Sequence, residues 1–332
     1  MHKAGVNTAD AKTVVDALIT TSLRGVESHG IRLLPHYLRG IMLGRINPKP
    51  KFIFTKTMSA TGLLDADDGL GILAGYKAMD HAVTMAKKVG MGAVSVRNSS
   101  HFAAAGLYTM MAAKNDTIGI AVTHVEALVL PYNGKEPFLG TNAFSFAVPC
   151  AGETPIVLDM ATTNMSLNKL NMYKAAGKEI PEGWAADAKG RMTTDPRAAH
   201  FLTHFGGYKG YGISLMVEIL SSLLSGMEYG PHISPMFPLN GAKRKLGHFF
   251  MAINIAGFEK PVVFKRRMHA LADELRAIPS VSSKTSVMVA GDPEKKIFEK
   301  RSQTGLIAMP KTDYEALMRV ATALGVDGAL TE

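Results

Sequence analysis

The chain has 332 residues, 47% apolar and 20% charged, with one cysteine and a formal net charge of +9. That is length for one large domain or two to three smaller ones around a substantial core, and it excludes a disordered chain. A lone Cys150 excludes an intrachain disulfide framework and Cys-cluster zinc or iron–sulfur sites, and it points to a reducing compartment.

The predicted elements run as follows. Asn7 reads as an N-cap with Asp10 three positions on, and Val14, Val15, Leu18 and Leu23 then recur at helical spacing. A loop with Glu27-Ser28-His29-Gly30 interrupts the pattern before a second helix over 33–43, which Asn47-Pro48-Lys49-Pro50 ends. A strand is expected over 61–66. Ile72, Tyr76, Met79, Val83 and Ala86 mark one helix face, closed by Gly90. A strand (92–96), a helix (102–114) and a strand (117–123) complete a β-α-β-α-β run, the mark of an α/β sheet. Short strands follow at 144–148 and 155–158, then a loop-rich stretch over 167–205 and a helix over 211–225. The chain closes with a strand (248–255), a helix (261–277), a strand (285–289) and helices over 293–303 and 312–324. No apolar run reaches the roughly 18–20 residues of a membrane helix, and no signal-peptide pattern opens the chain, so the reading is a soluble cytoplasmic protein.

Several segments have the residue types that chemistry needs. Gly69-Leu70-Gly71-Ile72-Leu73-Ala74 matches the dinucleotide spacing on paper. Asp65, Asp67 and Asp68 crowd that turn and would repel a pyrophosphate, which favours an ordinary strand-to-helix turn. Gly206-Gly207-Tyr208-Lys209-Gly210-Tyr211-Gly212 suits an anion better. Its glycines let backbone N–H groups approach, the next helix adds its dipole, and Lys209 adds a charge; a plain glycine-rich helix start is the alternative. His101, in Ser99-Ser100-His101-Phe102, follows a strand end, where ligands of α/β sheets bind, and it titrates near neutrality. Ser28-His29-Gly30 is a second polar loop, and His29 with Arg32 suits an anion. His29 and His36 lack the carboxylate pattern of a zinc motif, so no metal is expected. Asp159 ends a strand, either as a plain N-cap or as a partner for a histidine or a ribose hydroxyl. Lys243-Arg244-Lys245 and Lys265-Arg266-Arg267 are too short for a nucleic-acid stripe, and a single tryptophan argues further against one.

Taken in order, Glu27-Ser28-His29-Gly30, Asn98-Ser99-Ser100-His101-Phe102, Gly140-Thr141-Asn142, Leu158-Asp159-Met160-Ala161-Thr162, Gly207-Tyr208-Lys209-Gly210-Tyr211-Gly212, Leu246-Gly247-His248-Phe249-Phe250 and Gly291-Asp292-Pro293-Glu294 resemble the type-2 malate/L-lactate dehydrogenase family. That family includes ureidoglycolate and sulfolactate dehydrogenases and Δ1-piperideine-2-carboxylate reductase. The resemblance implies an NAD(P)-dependent oxidoreductase without the usual Rossmann fold, acting as a homodimer. It implies an α/β fold in which a mixed-sheet cofactor-binding part (59–299) joins a helical part made of 1–58 and 300–332. It makes His101 the catalytic proton acceptor and Ser28 and His29 the substrate-side pair. Arg32, Tyr37 and Arg244 are the expected substrate-binding side chains. Asp159, Met160, Ala161, Lys209, Gly210, Gly291, Asp292 and Glu294 are expected at the cofactor. Two positions depart from the pattern. Leu33 stands where many members have an arginine, and Val125 replaces a cofactor-binding serine; the next residue, Glu126, suits a ribose hydroxyl and favours NAD over NADP.

The expected reaction is reversible hydride transfer between nicotinamide and a small anionic 2-hydroxy acid or 2-oxo acid of the malate, lactate or ureidoglycolate type. A cyclic imino acid reductase in the same family is the alternative, and a basic nucleic-acid-binding or scaffold protein is the rival from another class. The charge excess is +6 over 1–60 and +5 over 240–332, around −2 between them. That pattern predicts that the two ends of the chain meet.

Overall fold

A computed structural model describes residues 1–237 and 241–326. The last six positions of the expected C-terminal helical part, 327–332, lie outside the described residues. Helices α1 (Thr8–Leu23) and α2 (Leu34–Met42) come first. The Asn7 side chain accepts the Asp10 N–H at 2.9 Å, the N-cap expected from sequence. Between the two helices, Glu27–His29 and Ile31–Leu33 form single 3-10 turns.

Strands β1 (Ile53–Lys56) and β2 (Thr61–Asp65) form a hairpin. Helix α3 (Gly71–Val89) leads to β3 (Met91–Ser99), and α4 (Gly106–Lys114) to β4 (Thr117–Thr123). Strands β5 (Phe144–Val148) and β6 (Ile156–Met160) complete the run along this edge. Next come α5 (Leu167–Ala176), the two-residue strands β7 (Ala185–Ala186), β8 (Met192–Thr193) and β9 (Phe201–Leu202), and α6 (Tyr208–Ser221). Strand β10 (Leu246–Asn254) and helices α7 (Pro261–Arg276), α8 (Asp292–Thr304) and α9 (Lys311–Ala323) finish the chain.

The main sheet has the order β1-β2-β3-β10-β4-β5-β6. Only β2 and β3 pair in parallel, across the α3 crossover. Strand β10 slots between β3 and β4, antiparallel to both. The sheet is therefore mixed, as expected, and it is not the doubly wound parallel sheet of a Rossmann domain. One face is apolar and closed: Val94, Ala121, Phe250 and Ala252 are fully buried with Ile72, Met79, Ala82 and Ala86 of α3 and Tyr108 and Ala112 of α4. Each large side chain on that face contributes about 1.5–3 kcal/mol by burial.

The start of α3 settles the paper match to a dinucleotide turn. Gly71 lies against the backbone of Ser100 and His101, and even a methyl group there would collide with the Ser100 carbonyl. Its N–H donates to Ser100 Oγ at 2.9 Å. The helix N-terminus is filled by protein, leaving no room for a pyrophosphate. Asp65 instead holds Arg97 Nε at 2.9 Å and Asn98 Nδ2 at 3.0 Å.

Two expectations need correction. The stretch expected to be loop-rich (167–205) contains α5 and the sheet β8-β7-β9. It has its own small core of Val129, Met165, Leu170, Ile180, Ala185, Ala199 and Leu202. The expected strand over 285–289 is irregular; this segment meets β6 through the Ala290 carbonyl, which accepts the Val157 N–H at 3.2 Å. The two ends of the chain do meet. Helix α1 packs on α8, and α2 on α9. Arg301 pairs with Glu27, and Arg32 Nε lies 3.3 Å from Asp313.

Candidate active site

His101 sits where β3 leads into α4, and two elements aim side chains at it. Its Nδ1 lies 2.8 Å from the Tyr37 hydroxyl of α2. The His29 ring stacks on it at 5.5 Å between centroids. Ser28 Oγ lies 2.7 Å from His29 Nδ1. The structure thus brings Ser28, His29, Tyr37 and His101 into one cluster. The loop carrying His101 is held from beneath by His248 of β10, whose Nε2 lies 2.9 Å from Ser99 Oγ and 3.2 Å from the Ser100 carbonyl. His248 also stacks on Phe102 at 4.6 Å.

The cluster is electropositive. Arg244 is buried, its Nε donates to the Ser234 carbonyl at 3.1 Å and its Nη2 pairs with Glu126. Its remaining Nη1 has no hydrogen-bond partner among the described residues. Arg45 holds the carbonyls of Pro235 and Met236, and the Met236 N–H donates to Glu126 at 2.8 Å. His36 is buried edge-on to Tyr37, and its Nδ1 is also unpartnered among the described residues. Burial first, then the charges of His29, His36, Arg244 and His248, pushes His101 well below the ordinary imidazole value. Burial and Arg32 lower His29 to about 4; burial and the charges of Arg244, Arg45 and Arg39 lower His36 to about 4. Burial holds the Tyr37 phenol far above its usual range, so it stays protonated. A neutral imidazole near a guanidinium with one free N–H group suits a reaction that takes a proton from an anionic alcohol.

A second group lies past the start of α4. A narrow cleft, about 30 Å³ in volume, is lined by residues that include Thr21, Arg24, Gly106, Asp159 and Glu294. Asp159 accepts the Gly106 N–H at 2.7 Å. Asp159 is exposed by surface area, while the atoms packed round its carboxyl group desolvate it. That desolvation pushes the carboxyl up to about 6, against the pull of the Gly106 N–H and Arg24, with the Glu294 charge adding to the rise. Gly291 has φ +90 and abuts the Val157 backbone.

The remaining expected residues are placed as follows. Asp292 is engaged elsewhere, bonding Arg276 at 2.7 and 3.0 Å and the Val289 N–H at 3.0 Å. Arg32 turns to Asp313, and Glu126 has both oxygens engaged, by Arg244 and Met236. Lys209 is exposed on the first turn of α6, and Gly210 abuts the Phe205 carbonyl. The Phe205 N–H donates to the Thr162 carbonyl at 3.1 Å, tying this helix start to the Met160-Ala161-Thr162 segment. Sequence reasoning missed Arg24 and Arg45 as site components, and it weighed His36 only as a metal ligand. Their only signal was charge on an apolar helical stretch, which solvated residues share. The basic clusters are partly consumed by ion pairs: Lys243 lies 2.6 Å from Asp68, and Lys265 lies 2.9 Å from Asp116. No helix among the described residues is long and apolar enough to cross a membrane.

Comparison with known proteins matches the chain over nearly its whole length. A model of the malate/L-lactate dehydrogenase family covers residues 1–318. The chain is similar to a malate dehydrogenase of Pyrococcus abyssi, 39% identical, covering 99% of this chain and 92% of that one. It is similar to a ureidoglycolate dehydrogenase (NAD(+)) of Escherichia coli K12, 32% identical over 88% of this chain and 84% of that one. The structure of sulfolactate dehydrogenase from Methanocaldococcus jannaschii superposes with a TM-score of 0.92 at 36% identity, covering 98% of this chain and 94% of that one. The chain belongs to the malate/L-lactate dehydrogenase family.

Proposed function

We propose that the protein is an NAD(P)-dependent dehydrogenase that interconverts a small 2-hydroxy acid and its 2-oxo acid. The observation that carries this reading is the buried Arg244 Nη1, unpartnered among the described residues, in the electropositive cluster around Tyr37 and His101. The Arg244 charge is balanced by Glu126, but a buried N–H group without an acceptor costs about 1–3 kcal/mol unless a ligand completes it. A substrate carboxylate does so, and a guanidinium can grip it with two parallel bonds.

The cofactor, when bound, accepts or donates the hydride. The chain around the Asp159 cleft fits such a group. Arg24 offers a cation to a diphosphate, Asp159 and Glu294 offer acceptors to ribose hydroxyls, and Leu107, Met110 and Val157 offer an apolar wall. Met160 follows Asp159 in β6 and Gly291 abuts the Val157 backbone beside this cleft, whereas Lys209 and Gly210 open α6 outside its lining; their part in cofactor binding rests on the resemblance. Two carboxylates in one cleft disfavour a 2′-phosphate, which supports NAD as the preferred cofactor. Glu126 is then a support for Arg244, and Asp292 anchors the start of α8 through Arg276.

During oxidation His101 takes the hydroxyl proton. The step uses the tautomer whose Nδ1–H is donated to Tyr37 Oη, 2.8 Å away, in place of the long 3.4 Å contact that the Ala103 N–H makes to the same nitrogen; the Nε2 lone pair is then left for the substrate. Ser28 and His29 orient the hydroxyl beside it, and Arg244 fixes the carboxylate. During reduction the same nitrogen returns a proton to the carbonyl oxygen.

The active unit is a homodimer. The second face of the main sheet presents an apolar row, Met251, Ile120, Phe146 and Leu158, in cross-strand register. Phe146 and Leu158 are exposed, as are Ile213, Met216 and Ile219 of the adjacent α6. A contiguous exposed apolar row of this kind marks an interaction surface, and a second copy supplies its cover. Sedimentation should give twice the chain mass, and Met216→Glu should shift it toward the monomer; a monomeric wild type removes this reading.

The activity is tested with a panel of 2-oxo acids and cyclic imino acids, NADH and NADPH, followed at the nicotinamide absorbance. Oxidation of NADH by oxaloacetate or sulfopyruvate supports the proposal. Turnover confined to the imino acids replaces it with the reductase alternative.

A further inference from the structure

The reaction centre uses His101 and Arg244, but the strands that carry their supports are tied together by a buried carboxylate outside it. Glu218 of α6 is 3% exposed. Its Oε1 lies 3.2 Å from His124 Nδ1 and accepts the Gly230 N–H at 3.0 Å. Its Oε2 accepts the Asn142 Nδ2 at 2.8 Å. On the other side of the ring, His124 Nε2 accepts the Gly247 N–H at 2.9 Å. An imidazole nitrogen that accepts a backbone N–H bears no proton, so the His124 proton is on Nδ1 and is donated to Glu218.

This arrangement spans five segments. His124 lies at the end of β4, between Thr123 and Glu126. Thr123 Oγ1 lies 2.8 Å from His248 Nδ1, and His248 in turn holds Ser99 and Ser100 beneath His101. Glu126 pairs with Arg244. Gly247 opens β10 directly before His248 and lies against the Ser221 carbonyl of α6, where no side chain fits. Asn142 has φ +36, a left-handed conformation uncommon outside glycine, and its Nδ2 also donates to the Ser214 carbonyl at 3.1 Å. Glu218 thus sits at the point where the supports of the proton-transfer histidine and of the substrate arginine converge.

We propose that Glu218 is a positioning residue for the dehydrogenase reaction: through His124 and Asn142 it fixes the β4 end and the β10 start, and with them the placement of His101 and Arg244. The inference rests on the function proposed above. It is distinct from a general stabilising role because misplacement at a reaction centre slows the chemical step itself.

Glu218→Gln keeps the shape and the Oε1 acceptor but sets an NH2 group against Asn142 Nδ2. In the full-length protein, kcat per correctly folded site should fall by about 10- to 100-fold. The NADH dissociation constant, read by fluorescence, should stay within about two-fold, since the variant touches no cofactor-cleft residue. The primary isotope effect on kcat with 4-deuterated NADH should rise, because the chemical step becomes limiting. A variant with wild-type kcat overturns the proposal. So does a loss that matches the fraction of misfolded sites with an unchanged isotope effect, which marks a structural role only. Glu218→Ser, which removes all acceptors of the carboxylate, should show the same signature more strongly; a soluble Ser variant with normal kcat overturns the proposal equally. A wild-type chain inert with every oxo and imino acid overturns the function reading itself, and the positioning role falls with it.

Discussion

Replacing His101 by alanine should lower kcat by about 10²-fold or more while NADH binding stays nearly intact. The imidazole is in hydrogen-bond contact with Tyr37 and lines no part of the Asp159 cleft, so its loss removes proton transfer and leaves the cofactor wall standing. Its burial adds a pH signature. Because burial and four cationic or ionisable neighbours lower its pKa, the neutral base persists at neutral pH. The rate of alcohol oxidation, kcat/KM, should therefore stay level from pH 8 down through the ordinary imidazole value of about 6.5. It should fall only at lower pH, as the imidazole charges. An oxidation profile that breaks at 6.5 or above would contradict the burial of the base, and near-normal turnover by His101→Ala would remove His101 from the mechanism. Free-enzyme profiles are the relevant comparison, since the substrate carboxylate itself raises the pKa once bound.

Substitution of Arg244 should act on substrate affinity. Arg244→Lys keeps a positive charge opposite Glu126 but loses the fork that serves Ser234, Glu126 and the substrate together. KM for the hydroxy acid should rise by about 10- to 100-fold, the worth of one or two charge-assisted hydrogen bonds, with little change in NADH affinity. Arg244→Met is a harsher change. It leaves Glu126, whose side chain is only 14% exposed, without its cation. Such an orphaned charge costs about 3–5 kcal/mol, so this variant should lose thermal stability as well as affinity. Unchanged KM in the lysine variant would show that the substrate carboxylate is held elsewhere.

Much of the architecture was legible in the residues because periodicity is local. The Asn7 cap, the α3 face from Ile72 to Ala86 and the β3, β4 and β5 strands fall close to where spacing places them. Sheet order was not legible. Nothing in Leu246–Asn254 says that this strand enters between β3 and β4, about 120 residues earlier in sequence, because strand pairing depends on the whole fold. Helix α5 was missed because its apolar residues do not share one face, although Ser166 and Gly177 cap it in the usual way. The segment 285–289 carries β-branched residues as a strand does, yet it lies in no sheet, and the neighbouring Ala290 carbonyl bonds β6 at one position.

The site divided along the same line. Ser28, His29 and His101 stand out as polar residues in loops between apolar elements, and the fold brings them together. The roles of Glu126, Arg32 and Asp292 depend on neighbours 118, 281 and 16 residues away in sequence. A side chain that reads as a free ligand in one dimension can be consumed by an ion pair in three. The converse holds for Arg244, whose unpaired Nη1 is visible only once Glu126, Ser234 and Tyr37 are placed around it.

The central claim is that a hydride passes between nicotinamide and the carbon bearing the substrate oxygen. It is tested most directly by turning over oxaloacetate, or another 2-oxo acid that the panel identifies, with stereospecifically 4-deuterated NADH. The product is then analysed by mass spectrometry and NMR. The account predicts one deuterium at C2 of the 2-hydroxy acid from one face of the cofactor, none from the other, and one NADH oxidised per product. Product without deuterium at C2 from either labelled form, or NADH oxidation without a hydroxy acid, would contradict it.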